Sequence, residues 1–240
     1  MQPASNPATP DAGINRGERA AQRVGDPLTL ALLTLTFTTG IVDAVSYLGL
    51  GRVFTANMTG NVILLGFGIA GSAGLPILAP ILSLASFLAG AGVGGLLSSR
   101  LGHQHAKHIS TAWTLEAALF AGATVFAAVS HPHPRSASAD VVIGVLAVAM
   151  GIQTATARRL AVPDLSTTVL TQTLTGLAAD SRLFGGSGKG TARRASAVGA
   201  MLVGAVAGAL LLKASLVLAL AAAGALAFLV QIAYLPAARR

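Results

Sequence analysis

The sequence predicts an all-α integral membrane protein of about six transmembrane helices, set as two inverted three-helix repeats, each with a short discontinuous or re-entrant piece. Composition is the first observation behind that class. Of 240 residues, 53% are hydrophobic and 10% charged, where an ordinary soluble domain carries about 25% charged residues. The mean hydropathy is +0.72. The second observation is a set of long apolar runs, near residues 28–50, 75–97, 110–130, 139–157, 195–212 and 214–235. Residues 75–97 hold no ionisable group over 23 positions, and about 20 apolar residues suffice to cross a hydrocarbon core of about 30 Å. The third is the same order of elements in both halves of the chain.

Residues 1–26 read as a disordered cytoplasmic tail, being polar, aperiodic and interrupted by three prolines. Residues 27–236 then form one transmembrane domain. Its first run carries Thr34, Thr36, Thr38 and Thr39 and stays apolar to residue 50, which suits a span better than a cleaved signal segment. Asp43 lies inside that span near its outer end, where an acidic group is costly unless it has a function or a partner such as Arg52. The stretch "RVFTANMTGNVILLG" at 52–66 packs Arg52, Thr55, Asn57, Thr59, Gly60 and Asn61 into ten positions. Glycine beside short amides and hydroxyls suits a helix start whose free N–H groups border a polar cavity, and equally a plain helix cap. The run opened by Pro76 and Pro80 carries Gly90 and Gly94, and the run near 195–212 carries Gly204 and Gly208. That spacing lets helix backbones approach closely. Glu116 falls about seven residues into its run, as a functional group or one half of an ion pair.

The repeat is read from "GIVDA" at 40–44 and "GIQTA" at 151–155, which contains Gln153, at an offset of 111. A polar cluster follows each: "FTANMTGN" at 54–61, and "LSTTVLTQT" at 165–173 with Thr168, Thr171 and Gln172. Thr171 answers Thr59 if one residue is inserted. Repeat one covers about 28–130 and repeat two about 139–235. If the short pieces dip in and return, six crossings leave 13 Lys and Arg inside and 3 outside; eight crossings leave 10 and 6. The positive-inside rule favours six. Three spans per half turn the second half over, and inverted repeats with interrupted helices near the middle are the recurrent plan of secondary transporters.

"GIVDAVSYLGLGRVFTANMTGNVILLG", then "GIQTATARRL" and "TTVLTQTLTGLAAD", resemble the YoaK family, bacterial membrane proteins classed as a domain of unknown function. The resemblance runs from about Leu28 to Leu235. It implies about six transmembrane helices in a bacterial inner membrane and implies no reaction.

Other classes are excluded in turn. The formal charge of +8 sits between apolar segments and at the termini, a pattern of topology signals and lipid headgroup contacts rather than nucleic-acid binding. With no cysteine there is no disulfide, thiolate metal site or cysteine catalysis. "GAGVGG" at 90–95 imitates a dinucleotide fingerprint but follows no strand. His103, His105 and His108 read as solvated loop residues. No catalytic motif, cofactor site or metal site stands out, so no enzyme is expected. The expected function is a transporter or channel-like protein for a small polar solute. Its expected substrate-binding residues are Asp43, Arg52, Asn57, Thr59, Gly60, Asn61, Gln153, Thr168, Thr171 and Gln172. A non-transporting membrane assembly or regulatory protein is the alternative, and the small-residue faces are compatible with a homo-oligomer.

Overall fold

A computed structural model describes residues 26–72, 74–101, 104–160 and 170–238, with backbone alone at residues 105 and 235–238. The predicted tail, Asp26 excepted, and Thr168 therefore lie outside the described residues. The elements are α1 (Pro27–Val45), extended by a π-helical turn (Ser46–Gly51), then α2 (Met58–Ile69), α3 (Leu78–Leu101), α4 (His105–Ser130) and α5 (Ala137–Leu160). After these come α6 (Leu170–Ala179), a short 3-10 turn (Arg182–Phe184), α7 (Thr191–Ala214) and α8 (Leu216–Ala238). Among the described residues six helices are long and apolar enough to cross a membrane, α1, α3, α4, α5, α7 and α8, in agreement with the six runs read from sequence. Large apolar side chains such as Leu88, Val129, Leu202 and Phe228 are exposed on them, as an exterior facing lipid requires.

Helix α1 shows how a threonine-rich run can span. Asp26 caps it, accepting from the Leu28 and Thr29 N–H groups at 3.2 and 3.4 Å, and Pro27 occupies the first turn, where no N–H is needed. The hydroxyls of Thr34, Thr36, Thr38 and Thr39 each donate to the carbonyl four residues back. Each of these four hydroxyls is thus satisfied within the helix.

Glycine sets the two closest crossings. Gly40 of α1 meets the backbone of α7 at Met201, Gly204 and Ala205, while Gly151 of α5 meets that of α3 at Phe87, Gly90 and Ala91. One turn on, Gly208 lies against Ile41 and Gly94 against Ile152. Residues of α1 and α5 in these contacts differ by 111 positions and those of α3 and α7 by 114, so the two crossings have the same register. The remaining packing pairs in the same way: α1 on α8 as α5 on α4, and α2 on α3 as α6 on α7.

The short α2 has 12 residues, about 18 Å of helix, too short to cross. Its flanks return to one end of the bundle, because the Arg135 N–H donates to the Leu50 carbonyl at 2.7 Å and the Arg135 guanidinium to the Gly74 carbonyl. Its first turn lies deeper, with Asn61 against Ser83 of α3. In the second half α6 is tied to α7 by Arg194, which donates to the Gly176 carbonyl at 2.9 Å and pairs with Asp180 at 2.7 Å.

The histidine reading needs correction. His105 opens α4 and His108 is buried in it, because Ile109, Ala112 and Trp113 carry the buried helical stripe back towards the loop. His103 lies outside the described residues.

Candidate functional site

Residues 52–57 fold back against α1, and Asp43 holds them there. The N–H groups of Thr55 and Ala56 both donate to Asp43 Oδ1 at 2.9 Å. Irregular backbone at membrane depth must find such partners, since hydrocarbon offers none. Asp43 Oδ2 is enclosed and accepts no hydrogen bond of ordinary geometry, with the Asn57 N–H and the Thr55 hydroxyl also acting on the carboxylate. Next along the chain, Asn57 caps α2 by accepting from the Gly60 N–H at 3.2 Å, which points the partial positive charge of that helix start towards the same place.

These groups border a cavity of about 310 Å³. Its polar lining is Thr39, Asp43, Asn57, Thr59, Gly60 and Thr171, and its apolar lining Ala56, Ile63, Leu170 and Met201. The site is therefore shared: α1, α2 and the preceding loop come from the first half, α6 and α7 from the second. Five of the expected residues meet there, Asp43, Asn57, Thr59, Gly60 and Thr171.

The rest are placed elsewhere. Arg52 is exposed, in a left-handed backbone conformation with φ of 55°, and lines an open cleft with Tyr47 and Arg135 at the bundle end. The expected Asp43–Arg52 pair is not formed, because the turn at Arg52 carries its side chain to the mouth and leaves Asp43 to the loop N–H groups. Asn61 is buried and committed to the protein: Phe54 N–H donates to its Oδ1 at 2.9 Å, and its Nδ2 donates to the Phe54 carbonyl at 2.7 Å and to Ser83 Oγ at 3.1 Å. Gln153 is buried on α5 behind the cavity wall, its Nε2 donating to Thr39 Oγ1 at 3.2 Å. Gln172 is exposed and does not line the cavity. Gly60 is held by packing as well as by the cavity, since a Cβ there would come within 2.8 and 2.9 Å of the Phe54 ring, itself stacked on Tyr47 at 4.9 Å.

Two residues escaped the sequence reading. Thr39 stands one turn before Asp43 on the same face, so i, i+4 spacing could have found it. Ser83 had no local signal, its partner Asn61 being 22 residues away. Asn61→Leu should leave the Phe54 N–H and carbonyl without their amide partner, at about 1–3 kcal/mol for each buried group. Thermal unfolding in detergent should show the loss, whereas Asn57→Ala, at an exposed cap, should cost about 0.5–2 kcal/mol.

Comparison with known proteins agrees with this architecture. Residues 31–233 match the family described as "Protein of unknown function (DUF1275)". The chain is also 36% identical over 156 residues to "UPF0700 transmembrane protein YoaK" of Bacillus subtilis (strain 168), covering 64% of this chain and 68% of that protein. No solved structure matches. With nearly all of the described bundle inside the matched region, this chain is a multi-pass membrane protein belonging to the DUF1275 family.

Proposed function

We propose that the chain transports a small polar solute, by opening the Asp43 cavity in turn to the two sides of the membrane, and catalyses no reaction. The observation that carries this reading is the cavity, polar, at depth, and built where the re-entrant α2 of one half meets α6 of the other. Asp43 in the cavity wall and the N-terminal end of α2 give a solute a carboxylate and a field of donors. The matched glycine crossings support reading the halves as inverted repeats that rock about this site. On charge asymmetry both termini lie on the cytoplasmic side of a bacterial inner membrane.

A second reading has its own observation. The outward faces of α4 and α8 form a groove of about 580 Å³ lined largely by small residues, among them Ala117, Ala121, Gly224 and Ala225. Such a face suits another helix, from a partner or from a second copy, as an assembly protein would need.

Single cysteines test both readings, since the native chain has none. With an impermeant thiol reagent on sealed vesicles of known orientation, Ala137→Cys should label from outside, and Gln104→Cys and Lys189→Cys from the cytoplasmic side only. Thr59→Cys and Thr171→Cys should label from either side, as alternating access requires. Labelling of both from one side only, together with no solute uptake by the same vesicles, would discard transport in favour of assembly.

A further inference from the structure

Two apolar clusters fill the bundle, and a buried polar layer divides them. On α1 one cluster ends at Leu35 and the other begins at Ile41; on α4 the flanking residues are Trp113 and Phe120; on α5 they are Met150 and Ala157. Between these limits lie Thr36 and Thr39 of α1, Glu116 of α4, and Gln153 and Thr156 of α5, all buried. The hydroxyls of Thr36 and Thr39 are satisfied by their own helix. Both carboxyl oxygens of Glu116, Gln153 Oε1 and Thr156 Oγ1 have no hydrogen-bond partner.

Packing does not require these side chains. At the offset of 111 that relates α1 to α5, Gln153 corresponds to Val42; on α8, which packs on α1 as α4 packs on α5, the cluster residues are Ala219, Leu220, Ala223, Ala227 and Val230. Val42 and Ala227 are buried in an apolar cluster. The α8–α1 contact is thus closed by apolar groups where the α4–α5 contact carries an acid and an amide. Among the described residues no charge is supplied to balance the acid. On the helices packed around it, Asp43 of α1 lies beyond Thr39 and is held by the loop, and His108 of α4 is two turns away. Arg158 and Arg159 are exposed at the end of α5, and Tyr234 of α8 stacks edge-on with Trp113. A lone carboxylate is costly in such a core. A bound proton or monovalent cation would cancel its charge, a divalent ion would overcharge the layer, and an anion would meet only oxygens.

We propose that Glu116, with Gln153 and Thr156, forms a binding site for a small monovalent cation, proton or sodium, adjoining the solute cavity. Gln153 joins the two, because its Nε2 bonds Thr39 and Thr39 lines the cavity. The coupling role rests on the transport reading, but the site itself is tested without it.

The probes are sodium alone and pH, applied to the full chain in detergent. A sodium site predicts that the melting temperature rises with sodium chloride and not with choline chloride, by the linkage of ligand binding to stability, and that the rise is lost in Glu116→Gln. A proton site predicts no sodium effect but an infrared carboxyl band that responds to pH and is absent in Glu116→Gln. Glu116→Ala with Gln153→Val makes this contact apolar, as the α8–α1 contact is, so it should melt no lower than the wild type without sodium and show neither response. Two results would overturn the site: a sodium response unchanged in the double variant, or no sodium response together with no titrating Glu116 band. Cation binding in vesicles that move no solute would instead fail the transport reading and leave the site standing.

Discussion

Gly90→Leu and Gly204→Leu are each expected to abolish the folded bundle. A side chain at Gly90 would run into the Val148 carbonyl of α5, and one at Gly204 into the Phe37 carbonyl of α1. Backbone blocks both, so no rotamer change relieves the contact. Overpacking of ordinary side chains costs about 1–3 kcal/mol, and a clash with helical backbone costs more because two whole helices must part. Gly92 lies on the same helix with nothing within 4 Å of its Cβ position. Gly92→Leu should therefore keep wild-type stability or gain slightly, leucine being the better helix former. Monodispersity and melting temperature in detergent would check the series, and a Gly90→Leu variant melting like the wild type would refute the crossing.

Asp43 should separate structure from function by the choice of substitution. In Asp43→Asn the amide oxygen can still accept from Thr55 and Ala56, so stability should fall by less than about 1 kcal/mol, a neutral acceptor being weaker than a charged one. The charge facing the cavity is gone, and uptake should be lost. Asp43→Ala strands both N–H groups, at about 1–3 kcal/mol each, so this variant should lose both stability and uptake. Arg52→Gln, at an exposed side chain away from Asp43, should change stability by no more than about 0.5 kcal/mol. An active Asp43→Asn transporter would reduce Asp43 to a tether for the loop.

Capping by Asn57 is legible in the local sequence, because a cap depends on neighbours within a few residues. The buried state of Glu116 is not. Its place in an apolar run allows either a working acid or an ion pair, and only the packing of α4 on α5 and α8 leaves both of its oxygens enclosed and without a hydrogen-bond partner. Asn61 shows the limit most clearly. It belongs to the same "ANMTGN" as Asn57, yet one amide borders the cavity while the other is taken up by Phe54 and Ser83.

By itself the sequence determined the membrane class, the six spans and four of the glycines at the close crossings, Gly90, Gly94, Gly204 and Gly208. Hydropathy over about 20 residues and the absence of a Cβ are local properties, and the bilayer acts on them segment by segment. Tertiary structure alone decided which polar residues share a site. Thr171 reaches the cavity beside Asn57 across more than a hundred residues of chain, Gln153 finds Thr39 at a separation of 114, and Arg52 is turned out to the mouth by a single left-handed residue. A hydrogen-bonding side chain carries no record of its distant partner, so that partner is chosen only when the helices pack.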